Sequence, residues 1–145
     1  MLPIYVLNGP NLNLLGEREP EIYGRHTLAD IEALCRARAG QYGLEIDFRQ
    51  TNWEGELVES VHEARKKASA IVINPAGLSF QSIPLLDSLK MFEGPKIEVH
   101  LSNIHRREPI YHRSLVSSTA TAVIAGLGAH GYELAIEAAH RLVAA

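Results

Sequence analysis

Apolar and polar positions alternate in blocks along the chain, and the blocks predict five strands and four to five helices in βα order. Pro3–Leu7 is a short run of strand formers that stops at Asn8-Gly9-Pro10, a turn signal. A first helix over Thr27–Tyr42 starts on a capping threonine with Asp30 three residues on. It carries Leu28, Ile31, Leu34, Cys35 and Ala39 on one stripe and closes at Gly43. Leu44, Ile46 and Phe48 then alternate with Glu45, Asp47 and Arg49, the pattern of a half-exposed strand at a sheet edge. A second helix over about Glu54–Ala68 turns Leu57, Val58, Val61 and Ala64 inward.

Ala70–Ile73 is continuously apolar rather than alternating, which suits a central parallel strand covered on both faces, and it ends at Asn74-Pro75-Ala76-Gly77. Gln81–Phe92 reads as a third helix, with Pro84 tolerable because it falls in the first turn. Lys96–Leu101 and Ala120–Ala125 are the last two strands, and Ala129–Val143 is a final helix offering Leu134, Ile136, Ala139 and Leu142 to the core. Between the last two strands, Ser102–Ser118 far exceeds the roughly 2–6 residues of an ordinary βα connection and is rich in histidine and arginine. With no linker, repeat or low-complexity stretch, residues 1–145 read as one α/β domain around a doubly wound parallel sheet.

Composition narrows the partners. The 145 residues are 46% hydrophobic and 21% charged, enough for one core, and a net charge of −3 offers no basic footprint for nucleic acid or an anionic membrane. A small molecule, or a second copy of the chain, is the expected partner. No apolar run approaches the ~20 residues of a membrane span, and the first residues lack a secretory pattern, so the expected location is cytoplasmic. The lone cysteine, Cys35, falls on an apolar stripe and reads as a small buried hydrophobe.

In an open parallel sheet, ligands bind beyond the carboxyl ends of the strands where strand order reverses. The polar residues follow that rule: Asn8, Asn11, Asn13, Arg18 and Tyr23 come after the first strand, Asn74 after the third, and Glu98, His100, Ser102 and Arg107 at or beyond the fourth. Glu98 and His100 are two apart on a strand, hence on one face, where a carboxylate orients an imidazole for general-acid work or forms a structural pair. The glycine-bounded segment Gly16–Gly24 reads either as a lid carrying Arg18 and Tyr23, a phenol beside arginines being a candidate general base, or as a surface loop with a packed aromatic. Gly126–Gly131 fits G-x-G-x-x-G, yet no second strand follows to carry an acidic ribose ligand, so it reads as a tight turn. A metal site from Glu98, His100, His105 and His112 is conceivable, but they match no recognised zinc spacing, so a metal is not expected. A non-catalytic regulatory or flavin module is disfavoured, since no acidic cluster or Ser/Thr-rich phosphate loop follows the first strand.

Asn8–Gly24 (N-G-P-N-L-N-L-L-G-E-R-E-P-E-I-Y-G) resembles the signature of type II 3-dehydroquinate dehydratases. I-N-P-A-G at 73–77, I-E-V-H-L-S-N at 97–103 and G-L-G-A-H-G-Y at 126–132 follow in the same order. The resemblance implies a flavodoxin-like fold, a cofactor-free and metal-free dehydration of 3-dehydroquinate to 3-dehydroshikimate, in aromatic biosynthesis or quinate breakdown, and a homododecamer built from trimers. It implies Tyr23 as the base at C2, aided by Arg18 and Arg107, with Asn11 holding the water that stabilises the enolate. His100, oriented by Glu98, would protonate the departing hydroxyl, while Asn74, Leu101 and Ser102 would hold the substrate. Asp87 resembles a residue that reaches a neighbouring subunit's site.

The chain departs from that pattern at two substrate-contact positions. Ser79-Phe80-Gln81 stands where T-H-T is usual, and Tyr111 stands where an arginine is usual, with Arg113 a possible stand-in from a shifted position. An apolar Phe80 facing hydroxyls would leave them unpaired, at about 1–3 kcal/mol each. A relative acting on a different hydroxy acid is therefore the alternative expectation.

Overall fold

The computed structural model describes residues 1–144. Its single sheet is parallel throughout and built from β1 (Ile4–Asn8), β2 (Ile46–Gln50), β3 (Ala70–Asn74), β4 (Lys96–His100) and β5 (Ala122–Ala125), ordered β2-β1-β3-β4-β5. Four helices join them, α1 (Pro20–Tyr23), α2 (Leu28–Gln41), α3 (Glu54–Lys67) and α4 (Ile83–Lys90), and α5 (His130–Ala144) follows the last strand. This is the flavodoxin-like doubly wound order, in which the chain reverses direction between β1 and β3.

Alternation along the strands divides the core. Ile4 and Val6 pack with Ile31, Cys35, Val72, Val99 and Ile136 under α2 and α5, whereas Tyr5 and Leu7 pack with Leu57, Val61, Ile71, Leu85 and Leu89 under α3 and α4. Thr27 caps α2 by the reciprocal bonds its spacing from Asp30 suggested, at 3.1 and 3.0 Å. β2 lies at the sheet edge, as its alternation implied, and β5 forms the other edge.

Several boundaries differ from expectation. α4 begins at Ile83 rather than Gln81 because the Ser82 hydroxyl accepts from Leu85 N at 3.0 Å, making Ser82 the cap, with Pro84 still in the first turn. β5 starts at Ala122, since Ala120 N is drawn back to Val116 O at 3.0 Å. Leu142 is 41% exposed rather than in the core, because α5 buries the stripe Tyr132, Ala135, Ile136 and Ala139 and leaves Leu142 off it. The Gly16–Gly24 segment contains a turn of helix, α1, and the long Ser102–Ser118 connection winds into three short 3-10 turns.

The residue tying α5 to the sheet is Tyr132, fully buried. Its hydroxyl donates to Asn8 Oδ1 at 2.7 Å and accepts from Asn74 Nδ2 at 3.0 Å, bridging the ends of β1 and β3 beside the chain reversal. Removing that one oxygen strands two buried amides. Tyr132→Phe is expected to destabilise the protein by about 1–3 kcal/mol, read as a lower urea midpoint at unchanged slope.

Candidate active site

Above the reversal, the loops after β1 and β3 touch closely. Gly9 N donates to Asn74 O at 2.9 Å, and a Cβ at Gly9 would lie 2.3 Å from Pro75 O, so no other residue fits there. Asn11, Glu19 and Ala76 hold positive φ angles of 72°, 37° and 54°. Left-handed backbone at non-glycine residues is costly and concentrates where geometry serves a site.

Between these loops and the end of β4 lies a cavity of about 210 Å³, sized for one small molecule and below the roughly 300–1,000 Å³ of larger ligand sites. Asn11, Arg18, Tyr23, Asn74, Phe80, His100, Leu101, Ser102, Arg107 and Tyr111 all line it. Residues from three separated segments, at the ends of β1, β3 and β4 and beyond, thus converge at the carboxyl rim of the sheet. Asp87 stands apart on the exposed face of α4 and lines no part of the cavity. Asn8 and Asn13 also lie outside it, Asn8 held by Tyr132 and Arg49 O, and Asn13 turned toward Gln50 at 3.5 Å. Arg113 is exposed and off the cavity wall, so it does not replace there the arginine whose place Tyr111 takes.

Glu98 and His100 share a face and are directly bonded, His100 Nε2 to Glu98 Oε2. The carboxylate is fully buried, and its other oxygen accepts from Ser117 Oγ at 2.6 Å. Burial alone would raise the Glu98 carboxyl, but the hydrogen bonds from His100 and Ser117 outweigh it and hold it below the usual carboxylate range. His100 is therefore tethered through Nε2 to an anion, leaving Nδ1 for a ligand.

In the same cavity, Tyr23 is flanked by cations: Arg18 Cζ lies 5.0 Å and Arg107 Cζ 5.2 Å from its ring centre. Neither guanidinium has an acidic partner among the described residues. Two unpaired cations at one small cavity favour an anionic ligand. Asn74 enters with its amide committed, Nδ2 donating to Tyr132 and Oδ1 accepting from Ala76 N at 3.1 Å, which leaves one N–H to offer. Phe80 and Tyr111 pack edge to face at 5.4 Å, and Phe80 stands 6.0 Å from the His100 ring, so the two departures form one aromatic wall beside His100.

Sequence reasoning missed Ser117 and Tyr132, which orient Glu98 and the two asparagines, and the lining contributed by Leu12, Leu15 and Ile104. Tyr132 lies within the G-L-G-A-H-G-Y segment, where the glycines drew attention from it. His105 and His112 face each other at 6.4 Å outside the cavity.

Comparison with known proteins agrees along the chain. The family model described as dehydroquinase class II matches residues 2–140. A 3-dehydroquinate dehydratase of Caulobacter vibrioides is 57% identical over 143 residues, covering 99% of this chain and 98% of that protein. One of Phenylobacterium zucineum is 58% identical over 137 residues, covering 94% of each. The crystal structure of type II dehydroquinase from Propionibacterium acnes superposes with a TM-score of 0.93 at 43% identity, covering 97% of both chains. A nearly full-length family match, over a flavodoxin-like fold with its cavity at the chain reversal, places this chain in the class II dehydroquinase family.

Proposed function

We propose that the protein is a hydro-lyase that dehydrates 3-dehydroquinate to 3-dehydroshikimate through an enolate. The observation that carries this reading is the juxtaposition, across one small cationic cavity, of a phenol flanked by two arginines and an imidazole bonded to a buried carboxylate. Tyr23 as phenolate takes the C2 proton, its negative charge favoured by Arg18 and Arg107. The electron pair moves into the carbonyl, and the enolate oxygen is met by a water held by Asn11. His100, as imidazolium stabilised by Glu98, passes its Nδ1 proton to the C1 hydroxyl, which leaves as water while the C1–C2 double bond forms. The proton gained by Tyr23 and the one lost by His100 cancel over a turnover. Arg107, Ser102 and Leu101 hold the carboxylate and ring hydroxyl, and Asn74 offers its remaining N–H.

Mixing purified protein with 3-dehydroquinate is expected to produce the conjugated-enone absorbance of the product, and a flat trace from folded protein contradicts the reading. Phe80 and Tyr111 on the cavity wall favour a second reading, a family member acting on a ring acid with fewer hydroxyls. Slow turnover of 3-dehydroquinate beside fast turnover of a deoxy analogue would select it. The reading extends to a cytoplasmic homododecamer in which Asp87 approaches a neighbour's cavity. Asp87 and Ile83, exposed together on α4, support it, and sedimentation measures the mass.

A further inference from the structure

We infer that Tyr111 is a positioning residue: its ring carries the Arg107 guanidinium and holds it over Tyr23. Arg107 comes from the long connection after β4, has no acidic side-chain partner among the described residues, and rests on aromatic faces alone, with Cζ 4.1 Å from the Tyr111 ring and 5.2 Å from that of Tyr23. The closer face is that of Tyr111. A flexible side chain keeps one geometry only where packing fixes it, and cation–π contacts supply that without consuming any of the five N–H donors. The backbone beneath is pinned as well: His112 Nε2 bonds Arg107 O at 2.5 Å, and Tyr111 N donates to Glu108 O at 2.9 Å. Phe80 closes the arrangement, meeting Tyr111 edge to face at 5.4 Å on the side toward His100. Acid and base sides of the cavity are thereby joined by one stack, Tyr23–Arg107–Tyr111–Phe80. The ring face of Tyr111 matters here, and its hydroxyl does not.

This rests on the assignment of Tyr23 as base, and a double-mutant cycle with a structural readout tests it. Tyr111→Leu is expected to lower kcat/KM for 3-dehydroquinate by about tenfold, between the scales of an exposed and a desolvated cation–π contact, with the fold retained and the thermal midpoint lowered by only a few degrees. Tyr111→Phe keeps the face and stays within about twofold of the parent protein. In an Arg107→Gln background, Tyr111→Leu adds less than about twofold, because its effect passes through Arg107. Additive losses, or a Tyr111→Phe as impaired as Tyr111→Leu, overturn the inference. Crystal structures of the two Tyr111 variants decide it without any activity: Arg107 leaves the Tyr23 face in Tyr111→Leu and stays in Tyr111→Phe. Arg107 unmoved in Tyr111→Leu overturns the brace, whereas absence of turnover by the parent protein overturns only the lyase reading.

Discussion

Tyr23→Phe is expected to lower kcat for 3-dehydroquinate by about a thousandfold, within the 10²–10⁴ range for loss of a positioned general base, and to change KM only a few-fold. The substitution removes one oxygen and leaves the ring on which Arg18 and Arg107 rest at 5.0 and 5.2 Å. Both guanidinium groups stay in the cavity, so binding of an anionic substrate is retained. A loss confined to KM would instead show the phenol binding substrate without taking its proton. Steady-state kinetics on the enone absorbance separate the two outcomes.

His100→Ala is expected to affect both rate and stability. If His100 is the acid as proposed, its loss lowers kcat by about 10²–10⁴-fold. It also strips the fully buried Glu98 of its main hydrogen-bond donor while the bond from Ser117 stays, which costs about 1.5–3 kcal/mol for a bond to a charged group. The pH dependence gives the sign. Because the folded protein holds Glu98 below the usual carboxylate range, its stabilisation is fully present above that range and is lost as pH falls through the depressed folded value. In His100→Ala the carboxyl loses the bond that lowered it, so the variant's deficit is large at neutral pH and shrinks in acid. Urea denaturation at neutral and acidic pH measures this, and a deficit that is equal at both would show that Glu98 is not held ionised by His100.

Much of the architecture was legible because parallel strands announce themselves as short apolar blocks ending in turn residues. Asn8-Gly9-Pro10 and Asn74-Pro75-Ala76-Gly77 mark the two strand ends between which the cavity opens. The Glu98–His100 bond was legible for the same reason, since two-residue spacing on a strand fixes a common face. Contacts between distant segments were not. Arg18, Tyr23, Arg107 and Tyr111 come from loops whose mutual approach no local pattern encodes, and Tyr132 meets Asn8 across 124 positions. Leu142 was misplaced by one residue: the buried stripe runs through Ala139 to the half-buried Val143, and a shift of one position turns a side chain about 100° around a helix.

The most direct test of the central claim is to incubate the protein with 3-dehydroquinate and identify what forms by proton NMR. The predicted result is the olefinic proton of 3-dehydroshikimate, growing with the parent protein and absent on the same timescale with Tyr23→Phe. An unchanged 3-dehydroquinate spectrum beside folded parent protein, or equal product from the variant, would contradict it.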